Sequence, residues 1–536
     1  MVVLRSVFAS LVCISYWFGL TACYAIGYPS SLFTFQHIFP KPGRISLGSF
    51  DFSWGSSKRP AESIVPAGLE DWIQQQRKAS FKYLLDNIAP SGSNAKEAAP
   101  GVVIASPSKK SPNYFYVWVR DAAITMGDVI EAYENNKDEM LKSIIESYTD
   151  LQGSLQNTFN PSGGYTTGGL GEPKFEVDGA PFTENWARPQ RDGPALRALA
   201  LMRYVRTLNE SDPSALDRDW LRKVYDGKLP TNSIIKADLE YISHSWNLTG
   251  FDLWEEVKDL HFFTAIVQRK ALVEGRDLAM ALGDSAAANW YESQQLELKK
   301  FLESSFWNKE RGHLIAFLDT QAHYRTGIDC GLLLGALHGG QEDLFPPWSD
   351  QILASLAALV ADMAERYPIN KYTPPFYPEE DDRLRGVGIG RYPEDRYDGV
   401  GLSEGHPWFL CTSSVSNILY NSIEQFIKQG HFDINDTNLR FFSKLLPNGK
   451  AVQGRYRLGD PLFREYLVDM FKYADSFLNV IRWHATDDGR LSEQFSRHSG
   501  FQRGAEQLTW SHGSYIGAAI GRDAAREGLL KSGVVA

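Results

Sequence analysis

The chain has 536 residues, of which 43% are hydrophobic and 13% aromatic, and it carries a formal net charge of −10. That acidic balance, with no basic stripe to neutralise phosphates, excludes a nucleic-acid partner. A neutral polar ligand such as a sugar is indifferent to it.

The N-terminus reads as a secretory signal over residues 1–25. Arg5 supplies the positive start, Val7 to Leu20 is mostly apolar, and Ala22-Cys23-Tyr24-Ala25 offers a small residue for cleavage after Ala25. Two rivals share these residues: an uncleaved anchor over Val7 to Ala25, and lipid attachment at Cys23, since Leu20-Thr21-Ala22-Cys23 is similar to a bacterial lipobox. Cleavage is the preferred reading, with an extracellular or secretory-pathway (vacuolar) location. No later stretch is apolar enough to span a membrane, so membrane association is expected only if this segment stays uncleaved. Cys13 and Cys23 leave with the signal. Cys330 and Cys411 either pair or remain buried thiols. Acceptor sequons at Asn209, Asn247 and Asn435 suit a glycosylating route, although such triplets also arise by chance.

Residues 26–66 are rich in Gly, Pro, Ser and Phe and read as an extended lead-in. From 67 to 536 the pattern is helical, and no linker divides it. Leu69 to Asn87 opens the series. Leu141, Ile144, Ile145, Tyr148, Leu151 and Leu155 follow a period of about 3.6 residues. Asp192 is an N-cap candidate, with Pro194 in the first turn of a helix carrying Leu201, Tyr204, Val205 and Leu208. Leu260, Phe263, Val267 and Ala271 predict another, as do Leu353, Leu356, Val360 and Met363. Asp460-Pro461 opens the clearest one, with Phe463, Leu467, Met470, Phe471, Ala474, Phe477, Leu478 and Ile481 on one face. About a dozen helices without strand alternation predict an all-α domain. Its helices are expected to close into a ring, with long aromatic loops gathered at one end.

The chemistry is expected in those loops. Asp252-Leu253-Trp254-Glu255-Glu256 sets two adjacent carboxylates beside an indole. Like charges and water exclusion both favour a protonated carboxyl, which a general acid needs. The plainer reading is a helix start whose acids complement the dipole. Tyr114-Phe115-Tyr116-Val117-Trp118-Val119-Arg120-Asp121 leads into a helix at Ala122, with Asp121 a candidate N-cap. Its Arg-Asp pair between aromatic rings also suits vicinal sugar hydroxyls. Gly168 to Phe175, with Lys174, has neither phosphate-loop spacing. Trp186 with Arg188 gives a ring platform beside a guanidinium fork. Gly390 to Tyr397 carries Arg391, and His406 to Cys411 carries Trp408. Leu491 to Phe495 carries Glu493, and Leu508 to Ser511 carries Trp510. None of the 11 histidines has paired-ligand spacing, so no metal and no cofactor is expected. Ser403 lacks the Gly-x-Ser-x-Gly elbow of serine hydrolases.

Together these stretches resemble the glucoamylase family, the inverting exo-acting α-glucosidases of fungi and yeasts. The resemblance rests on Tyr-x-x-x-Trp-x-Arg-Asp at 114–121, Gly-Leu-Gly-Glu-Pro-Lys-Phe at 169–175 and Trp-x-Arg-Pro-Gln-x-Asp-Gly-Pro-Ala-Leu-Arg at 186–197. It rests equally on Phe-Asp-Leu-Trp-Glu-Glu at 251–256, Gly-Arg-Tyr-Pro-Glu-Asp at 390–395, and Ser-Glu-Gln at 492–494 with Leu-Thr-Trp-Ser at 508–511. The blocks occur in family order. Val119 and Ala187 depart from the family's frequent Thr and Gly.

The resemblance implies an (α/α)6 toroid, and the helical pattern with the matched blocks predicts a single catalytic domain over 67–536 with no separate starch-binding domain. It implies Glu255 as general acid and Glu493 as general base. Arg120, Asp121 and Arg391 would hold the terminal glucose beside Tyr114 and Trp118. Lys174, Trp186, Arg188, Trp254, Glu256, Trp408 and Trp510 would shape neighbouring subsites. The expected partner is an α-glucan and the expected state a monomer. Alternatives are a non-catalytic toroid of the regulatory kind, and a related toroid enzyme such as a trehalase or glucodextranase.

Overall fold

The computed structural model describes residues 68–211, 217–372, 382–447 and 449–535. The signal segment 1–25 and the lead-in 26–66 lie outside the described residues. The first helices in the chain are α1 (Leu69–Asp86), α2 (Val119–Asn136), α3 (Glu139–Asn157), α4 (Asp192–Ser211) and α5 (Arg218–Val224). Next come α6 (Ile234–Ser245), α7 (Phe262–Ala281), α8 (Ser285–Ser305), α9 (Cys330–Gly339) and α10 (Asp350–Arg366). The chain ends with α11 (Phe409–Gln429), α12 (Leu439–Leu445), α13 (Pro461–His484) and α14 (Thr509–Lys531).

Local chemistry explains these boundaries. The Asp138 carboxylate accepts from Met140 N and starts α3, whose Leu141, Ile144, Ile145, Tyr148, Leu151 and Leu155 are buried as the period predicts. Pro461 occupies the first turn of α13, where its missing N–H costs nothing. Among the described residues, the strands are ribbons of two to four residues that pin loops and form no core sheet.

Helix packing closes a ring. α2 packs on α4, α4 on α7, α7 on α9, α9 on α11, α11 on α14, and α14 back on α2. A second layer alternates with it along the chain: α1 packs on α14, α3 on α2, α6 on α4, α8 on α7, α10 on α9 and α13 on α11. This is the (α/α)6 toroid, with α5 and α12 as short additions. Every second connection leads from an outer helix into an inner one, and the expected pocket residues lie on five of those six entries or in the first turn of the helix entered.

Three expectations are corrected here. Leu260 lies ahead of its helix, because Gly250–Phe251 pair with Lys258–Asp259 and the helix begins only at Phe262. The Glu255-Glu256 pair therefore tops a hairpin and does not start a helix. Asp121 is not an N-cap: α2 begins at Val119, so Arg120 and Asp121 stand in its first turn.

Cys330 and Cys411 form a disulfide with Cα atoms 5.8 Å apart, joining the inner helices α9 and α11 across 81 residues of sequence. Closing a loop of that length restricts the unfolded chain. The double variant Cys330→Ala/Cys411→Ala is expected to lose about 2–4 kcal/mol of stability. Urea unfolding of both proteins measures this, and an unchanged midpoint would count against it.

Candidate active site

The first wall is built at the start of α2. Val117–Trp118 pair with Lys174–Phe175, so Trp118 is fixed just before Arg120 enters the helix. Arg120 is 5% exposed. Its Nη1 donates to Gln190 Oε1 at 2.7 Å and to Asp192 Oδ2 at 3.1 Å. Its Nε stands 3.4 Å from Asp121 Oδ2. Burial pushes the Asp121 carboxyl up to about 6, against the pull of Arg120 and with further push from Glu255 and Asp192.

The second wall is the hairpin between α6 and α7. Asp252 Oδ1 accepts from Glu256 N at 2.7 Å and from Val257 N at 2.8 Å. Its carbonyl accepts from Glu255 N at 3.0 Å. That turn puts Glu255 at φ 66°, a left-handed conformation rare for a residue with a side chain and typical of strain kept at functional sites. The two acids then part. Glu255 Oε1 accepts from Trp118 Nε1 at 2.6 Å and Gln190 Nε2 at 2.9 Å. Glu256 Oε1 accepts from Arg391 Nη2 at 2.8 Å, and its Oε2 from Arg325 Nη2 at 2.7 Å and from the Tyr392 hydroxyl. Burial would raise Glu256, but Arg391, Tyr392 and Arg325 outweigh it and hold the carboxyl below its ordinary range. The expected repulsion between neighbouring acids is thus relieved by two guanidiniums. Nor does the Trp254 indole bond to Glu255; its Nε1 donates to Asp329 Oδ1 at 2.9 Å, at the cap of α9.

The third wall carries Glu493, which is 0% exposed. Gln494–Phe495 pair with Gln502–Arg503, and Glu493 N donates to Ala505 O at 2.8 Å. Among the described residues neither oxygen of Glu493 has a hydrogen-bond partner of good geometry, although the Tyr114 and Tyr397 hydroxyls lie near enough to act on it. Burial pushes this carboxyl up to about 8, opposed by the Tyr114 hydroxyl, Arg391 and the Tyr397 hydroxyl. The two tyrosine hydroxyls bond to each other at 2.9 Å. The Tyr114 hydroxyl is itself driven upward by burial and by both Glu493 and Glu255, so the two carboxylates act on one space.

Aromatic rings complete the enclosure. Trp118 lies 5.4 Å from Tyr114 and 6.1 Å from Trp186 between centroids. Trp254 lies 5.6 Å from Trp408 and 6.5 Å from Trp510. Trp186, Trp408 and Trp510 have buried indole N–H groups with no partner among the described residues. Arg391 is 3% exposed, gripped by Asp395 through Nε at 2.9 Å and Nη2 at 2.6 Å.

Arg188 departs from expectation. Its Nε donates to both oxygens of Glu172 at 2.9 and 3.0 Å, Nη1 to Glu184 O and Nη2 to Phe182 O. It braces the loop bearing Trp186 and offers no fork to a ligand. Lys174 is buried among rings. Of the sequons, Asn247 is exposed, Asn209 is half-buried on α4, and Asn435 donates its amide to Asp350 at 2.6 Å.

Sequence reasoning missed Gln190, Tyr397, Asp329 and Arg325. Gln190 and Tyr397 stand inside quoted blocks but carry no charge to draw attention. Asp329 and Arg325 lie outside every quoted block, and only packing brings them to Trp254 and Glu256.

The family model for glycosyl hydrolases family 15 matches residues 78–520. A probable glucoamylase of Schizosaccharomyces pombe is 36% identical over 87% of this chain and 94% of its own. An intracellular sporulation-specific glucoamylase of Saccharomyces cerevisiae is 34% identical over 84% of this chain and 83% of its own. The solved glucoamylase of Saccharomycopsis fibuligera superposes with a TM-score of 0.78 at 35% identity, covering 87% of this chain and 99% of that one.

Gly504 has φ +73°, and a Cβ there would fall 2.3 Å from Glu493 Oε2. Gly504→Ala is expected to displace that carboxylate and lower kcat by roughly 10²-fold, the scale of an ångström misplacement. Glu493 also predicts a pH signature. A buried carboxyl that keeps its proton up to about 8 costs no stability below the unfolded value near about 4. The cost grows as pH rises through that window, because the folded state there binds more protons than the unfolded state. Glu493→Gln should therefore unfold like wild type at pH 4 and be more stable at pH 8, by on the order of 1 kcal/mol or more. Parallel melting profiles at both pH values would contradict this.

Proposed function

The chain belongs to glycosyl hydrolases family 15, and we propose that Glu255 and Glu493 carry its reaction as general acid and general base. It is an exo-acting glycoside hydrolase of the glucoamylase class, releasing glucose from α-1,4-glucan chain ends. The observation that carries the assignment is the state of the two carboxyls. Glu255 Oε1 is taken by two N–H donors, which leaves Oε2 as the oxygen open to a substrate. Glu493 is buried, with the Tyr114 and Tyr397 hydroxyls acting on its carboxyl and, among the described residues, no cation in ion-pair contact with it.

In this reading Glu255 Oε2 protonates the glycosidic oxygen as the C1–O bond breaks. A water on the opposite face attacks C1 and gives its proton to Glu493. A carboxyl spacing of roughly 6.5–9.5 Å admits that water and inverts C1, so β-glucose forms from an α-linkage. The base must be ionised, and a water donating to Glu493 favours that form against the effect of burial. After product release, solvent returns the proton from Glu493 to Glu255.

Arg120 and Asp121 close the inner end, where only a chain terminus fits, with Arg391 beside them. Tyr114, Trp118, Trp186, Trp254, Glu256, Trp408 and Trp510 line the subsites that follow. The proton balance needs no cofactor. The signal-like N-terminus supports a secretory route, with Asn247 the favoured glycan acceptor.

The raised carboxyl at Glu493 favours a second reading, with the roles exchanged. α-Glucosyl fluoride separates the two, because fluoride leaves without an acid's proton. With Glu255 as acid, Glu255→Gln loses at least about 10²-fold on maltose, the lower range for acid catalysis, and keeps most activity on the fluoride. Glu493→Gln loses both. The opposite pattern exchanges the roles. Initial α-glucose from maltoheptaose, followed by NMR, would rule out inversion in either.

A further inference from the structure

Lys174 is 2% exposed, and among the described residues its Nζ makes no hydrogen bond or ion pair. Four rings enclose it instead. Nζ lies 3.6 Å from the centroid of Trp186, 3.9 Å from Phe182, 4.0 Å from Tyr116 and 4.6 Å from Trp118. The rings also meet edge to face around a closed circuit. Tyr116 lies 6.1 Å from Trp118, Trp118 6.1 Å from Trp186, Trp186 5.6 Å from Phe182, and Phe182 5.3 Å from Tyr116. A desolvated ammonium without an anion is costly, and ring faces are the groups that replace its water here. Burial pushes it down to about 8, and the Glu255 carboxylate is the largest charge opposing that fall.

This cage is tied to the chemistry at one point. Trp118 is both a ring of the cage and the Nε1 donor to Glu255 Oε1 at 2.6 Å. Lys174 and Trp118 are also direct partners across the short ribbon, so the cation and the indole share one backbone frame. The indole's tilt then fixes where its N–H points, and hence which carboxyl oxygen faces the substrate.

We propose that Lys174 is a positioning residue: its ammonium gathers four ring faces, sets the plane of Trp118, and thereby holds Glu255 with Oε2 towards the glycosidic oxygen. It need not touch the sugar. The inference rests on Glu255 being the acid, and it gives Lys174 a role distinct from lining a subsite.

The test compares maltose with α-glucosyl fluoride. Lys174→Met keeps length and removes charge. Its kcat on maltose is expected to fall at least tenfold, with KM for maltose and kcat on the fluoride within threefold of wild type. A role in folding alone would depress both substrates alike, and contact with the second sugar, which the fluoride lacks, would raise KM for maltose; equal losses or a raised KM therefore overturn the proposal, as does an unchanged maltose rate. If Lys174→Met does not unfold cooperatively, Tyr116→Leu decides. It removes a ring that makes no bond to Glu255, and a loss at least threefold larger on maltose than on fluoride supports the cage. No such bias overturns it. Glu255→Gln runs alongside: if it loses the fluoride as well, the acid assignment fails, and the proposal falls for that separate reason.

Discussion

A ring of helices closes only if every inner helix packs against two others, and that closure governs the rest of this structure. Each inner helix is entered from an outer one, so six loops are delivered to the ring. Those loops carry Trp118 before α2, Trp186 before α4, Glu255 before α7, Asp329 before α9, Trp408 before α11 and Glu493 before α14. Residues almost 400 positions apart, such as Tyr114 and Glu493, share one space because the first and last inner helices are neighbours. The disulfide acts at the same level, joining α9 and α11 where they bear Asp329 and Trp408.

Within that frame, guanidiniums decide which carboxylates remain available. Arg391 and Arg325 consume Glu256. Arg120 is shared among Asp192, Asp121 and, at 3.8 Å, Glu255 Oε1. Arg188 is spent on Glu172, where it holds a loop. Among the described residues, what is left without a guanidinium in ion-pair contact is one oxygen of Glu255 and the carboxyl of Glu493. Neighbouring acids need not behave alike: Glu255 and Glu256 are adjacent in sequence, yet the hairpin sends one to an indole and an amide and the other to two cations.

The pocket is also where stability is given up. A buried carboxyl without a charged partner and a left-handed glutamate are both unfavourable in isolation. They persist because the surrounding core is large and the loops are braced by Asp252, Asp395 and Glu172. Stability traded for site geometry in this way is general among enzymes.

Much of the fold was legible in the sequence because amphipathic period and helix-start chemistry are local. Leu141 to Leu155 and Asp460-Pro461 gave their helices directly. The loop residues were legible as blocks of Trp, Arg, Asp and Glu whose order matches a known family. Local reading failed where long-range pairing won. Leu260 and the Glu255 turn belong to a ribbon, Arg188 turns back into its own loop, and Asp121 stands inside a helix. The sequence by itself determined the helical class, the family and the chemical groups available. Only the tertiary structure decided which groups meet, that Cys330 reaches Cys411, that Asp329 holds Trp254, and that Lys174 sits among four rings. The reason is physical: periodicity depends on neighbours within a few residues, whereas pairing across a closed ring depends on helices that sequence distance does not bring together.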